Sequence, residues 1–176
     1  MSREDLGLLH VYTGNGKGKT TAALGLAMRA SGRGLKVLMI QFMKTEGAYG
    51  EQWAHRELPG IEIRPMGLDC LIDADEPRPE DVDKAQEGLR MARQALTSGE
   101  WDMVILDEVN VAVKWRLLTE EQVLEAVRSR APGIEVVLTG RYAPPSFIAE
   151  ADLVTEMRKL KHYYDKGVEA RDGVER

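Results

Sequence analysis

At 176 residues the chain is long enough to bury a substantial core, and 43% apolar with 30% charged residues places it among folded globular proteins, not disordered ones. A net charge of −5 with no dense Lys/Arg cluster argues against a nucleic-acid groove, and no apolar run approaches the length that spans a bilayer. The single cysteine, Cys70, cannot close an internal disulfide, and the polar start Met1-Ser2-Arg3-Glu4-Asp5 is neither a signal nor a transit peptide, so a reducing, cytoplasmic location is expected.

The first apolar run, 8–12, predicts a strand that leads directly into Thr13-Gly14-Asn15-Gly16-Lys17-Gly18-Lys19-Thr20-Thr21. This is a phosphate-binding loop between a strand and a helix. Glycines let backbone N–H groups surround phosphate oxygens where a Cβ would obstruct the approach. Lys19 brings a positive charge to the phosphates, and the Thr20 hydroxyl is placed to ligate Mg2+. The following helix, from Thr20 to about Ser31, aims its positive end at the same anion. Thr13 stands where the G-x-x-x-x-G-K-S/T pattern has its first glycine. A plain glycine turn would not explain lysines at both Lys17 and Lys19.

A second strand at 36–42 ends in Gln41-Phe42-Met43-Lys44, and a third follows at 61–65. Residues 66–80, with Asp69, Asp73, Asp75, Pro77 and Pro79, form a long loop of the kind usually kept for function. Val82, Ala85, Leu89, Ala92 and Leu96 then give the three-four spacing of a helix over 81–98, stopped by Gly99. The strand at 103–107 closes on Asp107-Glu108, the pattern that presents acid to Mg2+ or its water shell in P-loop proteins. Neighbouring strand residues point to opposite faces, so one carboxylate addresses the metal directly; the alternative is that both acids cap a helix starting near Asn110.

Thr119 and Gln122 form a capping box that opens the next helix, with Val123, Leu124 and Val127 facing inward. A fifth strand, 135–139, is followed by Gly140-Arg141. That guanidinium either clamps phosphate or is an ordinary surface arginine; Arg29 and Lys44 likewise either reach a polyphosphate or sit in solvent. Pro144 and Pro145 suit the first turn of a short helix ending near Ala151, and 152–156 is the sixth strand. The charged tail, 158–176, is expected to be disordered unless something holds it down. His10, His55 and His162 show no metal-ligand spacing. Cys70, without a basic neighbour in sequence, reads as a small, partly buried residue.

Strand–helix alternation of this kind predicts a single α/β domain over 1–176, P-loop NTPase-like, with a mostly parallel sheet of about six strands and helices on both faces. Ligands gather at the carboxyl ends of such strands, where the motifs above all fall.

Five segments together resemble the P-loop corrinoid adenosyltransferases of cobalamin biosynthesis and salvage: residues 11–23; Gln41-Phe42-Met43-Lys44 with Gly50-Glu51; Leu106-Asp107-Glu108; Leu138-Thr139-Gly140-Arg141; and 151–157 with Lys161-His162 and Gly167-Val168. The resemblance implies a homodimer that moves the adenosyl group of ATP to the Co(I) of a reduced corrinoid and releases tripolyphosphate, with a reduced flavoprotein as electron donor. It implies ATP bound backwards relative to P-loop hydrolases, so that the ribose 5′-carbon faces the nucleophile. Lys19, Thr20 and Glu108 would then be catalytic, and Thr20, Glu108 and Asp107 the metal set. The nucleotide would lie on Thr13, Gly14, Asn15, Gly16, Lys17, Gly18, Lys19, Thr20, Thr21, Arg29, Lys44 and Arg141. Relatives carry an aromatic wall in the segment matching Gly67-Leu68-Asp69-Cys70-Leu71. This chain has no aromatic there, and Leu68, Cys70 and Leu71 are left to form the corrinoid face. Two other readings compete: a P-loop ATPase or small-molecule kinase, which makes ADP, and a nucleotide-sensing module, which binds ATP and makes nothing.

Overall fold

The apolar runs become β1 (Leu9–Thr13), β2 (Val37–Phe42), β3 (Ile61–Met66), β4 (Met103–Asp107), β5 (Glu135–Thr139) and β6 (Leu153–Glu156). The structure, a computed structural model, describes residues 6–70 and 72–176. The strands make one sheet in the order β3-β2-β4-β5-β1-β6, and every pairing is parallel. Strands this continuously apolar must be covered on both faces. They are. Val37, Met39, Ile63, Met103, Ile105 and Val137 pack under α1 (Lys19–Ser31). Leu38, Ile40, Phe42, Leu106 and Leu138 face the other way, toward α3 (Pro79–Ser98), α4 (Val109–Lys114), α5 (Glu120–Arg128) and α6 (Pro145–Glu150).

Local chemistry sets the ends of these elements. α1 presents Ala23, Ala27 and Ala30 to the sheet, side chains small enough to seat the helix close against it. β1 begins one residue later than the apolar run suggests, because the Glu135 carboxylate takes the Gly7 and Leu8 amides and leaves the Leu8 side chain 51% exposed. Asp152 stays outside β6 for a similar reason: its carboxylate accepts from the Leu9 amide at 2.8 Å. α3 starts at Pro79, two residues ahead of the periodic pattern, with Asp81 closing back on the Arg78 amide at 3.2 Å. Thr119 and Gln122 make the expected reciprocal cap of α5. A short α2 (Glu51–Ala54) and a following 3₁₀ turn at His55–Glu57 link β2 to β3.

The sheet order puts the carboxyl end of β4 between those of β2 and β5, so Asp107 pairs in register with Gln41 and lies beside Thr139. Three non-glycine residues with left-handed backbone, Met43, Glu108 and Tyr142, stand just beyond β2, β4 and β5. Each such conformation costs on the order of 1–2 kcal/mol, so three of the four such residues among those described, Arg116 being the fourth, gather strain at one sheet edge.

Candidate active site

The phosphate loop joins β1 to α1 at this edge. Lys19, 7% exposed, donates to the carbonyls of Gly14 at 2.8 Å and Gly16 at 2.7 Å, so its ammonium lies within the loop's own curve. Burial pulls its pKa below the ordinary ammonium range. The glycines also let another strand end approach the loop. Met157, just past β6, donates to the Thr13 carbonyl at 2.8 Å and accepts from the Gly16 amide at 2.6 Å. A Cβ on Gly14 would collide with the Met157 carbonyl, and one on Gly16 would sit 2.7 Å from it. Thr13, in place of the usual glycine, is buried and accepts the Ala143 amide at 3.2 Å.

Other loop side chains turn toward the C-terminal segment. Asn15 accepts the Lys159 amide at 3.0 Å. The Lys17 ammonium contacts Glu175 at 2.6 Å, the Val174 carbonyl at 2.8 Å and the Tyr163 hydroxyl at 3.0 Å. The tail, expected to be loose without an anchor, is therefore anchored, and it carries a 3₁₀ turn at Tyr163–Lys166 capped by His162. Thr21 is exposed on the first turn of α1. Arg29 is exposed at the far end of that helix, ten residues or about 15 Å from Lys19, and is not brought to the loop.

Asp107 is the centre of the acid cluster and is wholly buried. One carboxylate oxygen accepts from the Thr20 hydroxyl at 2.9 Å and the Thr139 hydroxyl at 2.7 Å; the other meets Lys44 at 2.9 Å and the Gln41 amide at 3.3 Å. Lys44, 8% exposed, is not a solvent lysine. Burial opposes its charge, but Asp107 and Glu51, the latter 3.1 Å away, outweigh burial and raise its pKa. Gln41 also donates to Glu51 at 2.9 Å and accepts from Gln52 at 3.0 Å, leaving the Gln52 carbonyl oxygen buried and unpartnered. Sequence reasoning gave no role to Glu51, Gln52 or Thr139, because polar residues divided between α2 and β5 carry no spacing signal.

Glu108 holds the N-cap position of α4 but makes no side-chain cap bond, which removes the helix-capping alternative. Its amide instead donates to Thr139 at 3.0 Å. Burial and the neighbouring Asp107 charge raise its pKa, while Lys44, Lys19 and Arg141 pull the other way. Arg141 thus stands near both Glu108 and Lys19, although its side chain is exposed. Asn110 supports the loop below it, donating to the Gly140 carbonyl at 3.0 Å.

The loop after β3 leans on the same edge. Gly67 abuts the backbone of Met43 and Lys44 so closely that a Cβ there would overlap it, and the Thr45 hydroxyl donates to the Leu68 carbonyl at 2.8 Å. Leu68 is half-buried beside a small cavity lined by Met43, Met66, Ile72 and Leu117. Cys70 corrects the sequence reading: it is exposed, and the Arg78 guanidinium, eight residues on, donates to its sulfur. A partner at that separation is supplied by the fold of the loop. Leu71 lies outside the described residues.

Residues 5–176 match the family described as ATP:corrinoid adenosyltransferase BtuR/CobO/CobP. The chain belongs to this family. It is accordingly a transferase with a corrinoid substrate. It is 38% identical to a corrinoid adenosyltransferase of Pseudomonas aeruginosa over 99% of this chain and 86% of that protein. A corrinoid adenosyltransferase of Escherichia coli is 37% identical, over 99% and 88%, and one of Salmonella typhimurium 36%, over the same shares. The fold is shared with a KaiC-like protein of Pyrococcus horikoshii at a TM-score of 0.54, covering 86% of this chain and 72% of that one at 14% identity. Among the described residues no helix is long and apolar enough to cross a membrane.

Proposed function

We propose that this adenosyltransferase moves the 5′-deoxyadenosyl group of ATP onto the Co(I) of a corrinoid and releases tripolyphosphate. One observation carries the proposal: a continuous chain of contacts runs from phosphate loop to apolar loop. Thr20 is tied to Asp107, Asp107 to Lys44, and the Lys44 backbone abuts Gly67, beside Leu68. Co(I) supplies its own electron pair, so no protein base is needed. As the cobalt–carbon bond forms, the bond from the 5′-carbon to oxygen breaks and its electron pair leaves on tripolyphosphate. Lys19 and the loop amides stabilise that growing charge, which requires the phosphates to run backwards, ribose outward. Lys44 and Arg141 add positive charge at the same edge.

The donor set suits a hard cation. Thr20, Asp107 and Glu108 offer oxygen alone, and no group of three His, Cys, Asp or Glu among the described residues could hold a metal unaided. That fits Mg2+, which takes one or two protein ligands and fills the rest with phosphate and water. When bound, it would be held by Thr20 and Glu108 with Asp107 behind, and would neutralise charge on the leaving phosphates. On the corrinoid side Leu68 offers apolar surface to exclude an axial ligand. Each ~59 mV gained in the Co(II)/Co(I) potential is tenfold in that equilibrium. From the family resemblance, the enzyme acts as a cytoplasmic homodimer fed by a reduced flavoprotein.

A hydrolytic reading has one observation behind it. Glu108, raised in pKa and facing the loop, could activate water. Incubation with ATP, Mg2+ and chemically generated cob(I)alamin separates the two. Transfer gives a light-sensitive Co–C absorption spectrum that Lys19→Ala abolishes; ADP as product, or an undiminished Lys19→Ala variant, refutes it.

A further inference from the structure

A cleft opens beyond the phosphate loop that nothing above employs. Gly16 and Lys17 form one wall, and Arg158, Lys159, Lys161 and His162, directly after β6, form the other. The two walls are pinned together by the Gly16 amide on the Met157 carbonyl at 2.6 Å, so residue 158 begins where the phosphate loop ends. Four fixed cations converge here in a chain whose net charge is −5. Two of them have acidic partners: Glu175 meets Lys17 at 2.6 Å, and Asp165 meets Lys159 at 3.0 Å. Among the described residues Arg158 and Lys161 have none, and both are exposed. The cleft therefore keeps a surplus of two positive charges.

The character of the cleft selects its ligand. A nucleobase would want an open aromatic face, and the Tyr163 ring is already taken, with Lys17 at 5.8 Å and the Arg171 guanidinium at 4.7 Å. What remains on offer is cationic charge next to a phosphate loop. Lys17 spends its three donors on the tail, so its part is to fix the cleft wall.

We propose that this cleft is a polyphosphate subsite, in which Arg158 and Lys161 receive the terminal phosphates of the nucleotide and hold the tripolyphosphate product before release. The assignment rests on the adenosyl-transfer reading, because only there does the intact triphosphate chain depart as one polyanion. It also accounts for direction. With the phosphates running into a basic cleft on the β6 side, the ribose is left on the opposite side, toward Lys44 and the apolar loop.

Calorimetric titration with inorganic tripolyphosphate, without corrinoid, tests it. Arg158→Ala/Lys161→Ala should weaken tripolyphosphate binding about tenfold at low salt, since two charge-assisted contacts are lost. Arg93→Ala/Arg128→Ala removes the same charge elsewhere and should change it less than about twofold. Unchanged affinity in the first variant, or equal weakening in both, overturns the subsite. Transfer from preformed cob(I)alamin keeps the two readings apart. An active first variant with unaltered tripolyphosphate affinity sinks the subsite alone, whereas wild-type enzyme that yields ADP sinks the transfer reading beneath it.

Discussion

Asp107→Asn probes the buried charge on which the site is built. Asparagine keeps one oxygen for the Thr20 and Thr139 hydroxyls, 2.9 and 2.7 Å away, but sets an NH2 against Lys44 and Gln41, both donors. Losing a charge-assisted hydrogen bond costs about 1.5–3 kcal/mol. Breaking a buried ion pair costs roughly 3–5 kcal/mol when one charge is stranded. Lys44 is not fully stranded, because Glu51 stays at 3.1 Å. The net loss is then about 2–4 kcal/mol, which lowers the melting temperature of a protein this size by on the order of 10 °C. Scanning calorimetry measures it, and Lys44→Met completes a double-mutant cycle. With the ammonium gone, Asp107→Asn no longer strands a buried charge, so the double variant should be less destabilised than the sum of the singles by about 1–3 kcal/mol. Additivity within about 0.5 kcal/mol would show that the pair does not couple and that Lys44 and Asp107 are not in contact.

Glu108→Gln should raise stability and lower activity. A carboxyl whose pKa burial raises is most stabilising while protonated, and that contribution is lost as pH climbs from the ordinary carboxylate range through the raised value. The variant should therefore melt higher than wild type at pH 8, with the gap closing near pH 4, while Mg2+-dependent turnover falls at least about tenfold; a constant gap across that range contradicts the assignment. Gly14→Ala forces a side chain onto the Met157 carbonyl at a φ of 95°. Hydrogen exchange at the Met157 amide should accelerate, and unchanged protection would mean that β6 does not clasp the loop. Leu68→Ser should impair turnover starting from Co(II) more than turnover from preformed Co(I). Equal losses would free the β3–α3 loop from any part in axial ligation.

Much of the architecture was legible because burial on both faces writes itself as continuous apolar runs: β4 and β5 occupy 103–107 and 135–139, as the sequence predicts. β6, only four residues and exposed throughout, carries the weakest pattern, since one neighbour and no covering helix demand little of its side chains. The strand–loop–helix unit around residues 13–21 was legible because a glycine-rich stretch between two apolar runs permits few other arrangements. The Lys44–Glu51–Gln41–Gln52 network was not, because its members belong to separate elements and meet only through the fold. Nor was the tail. Its charges read as solvated, whereas Lys159 pairs with Asp165, and Arg171 and Glu175 pair with each other beneath Lys17. Cys70 was misjudged for the same reason, its partner lying across a loop at Arg78.

The decisive measurement is a crystal structure of the enzyme with Mg2+ and ATP. The α-phosphate should lie nearest Thr20 and Glu108, the ribose 5′-carbon should face Leu68, and the outer phosphates should point toward Arg158 and Lys161. A nucleotide bound the other way round, its γ-phosphate at the open mouth and its ribose beside Lys161, would contradict adenosyl transfer at this site.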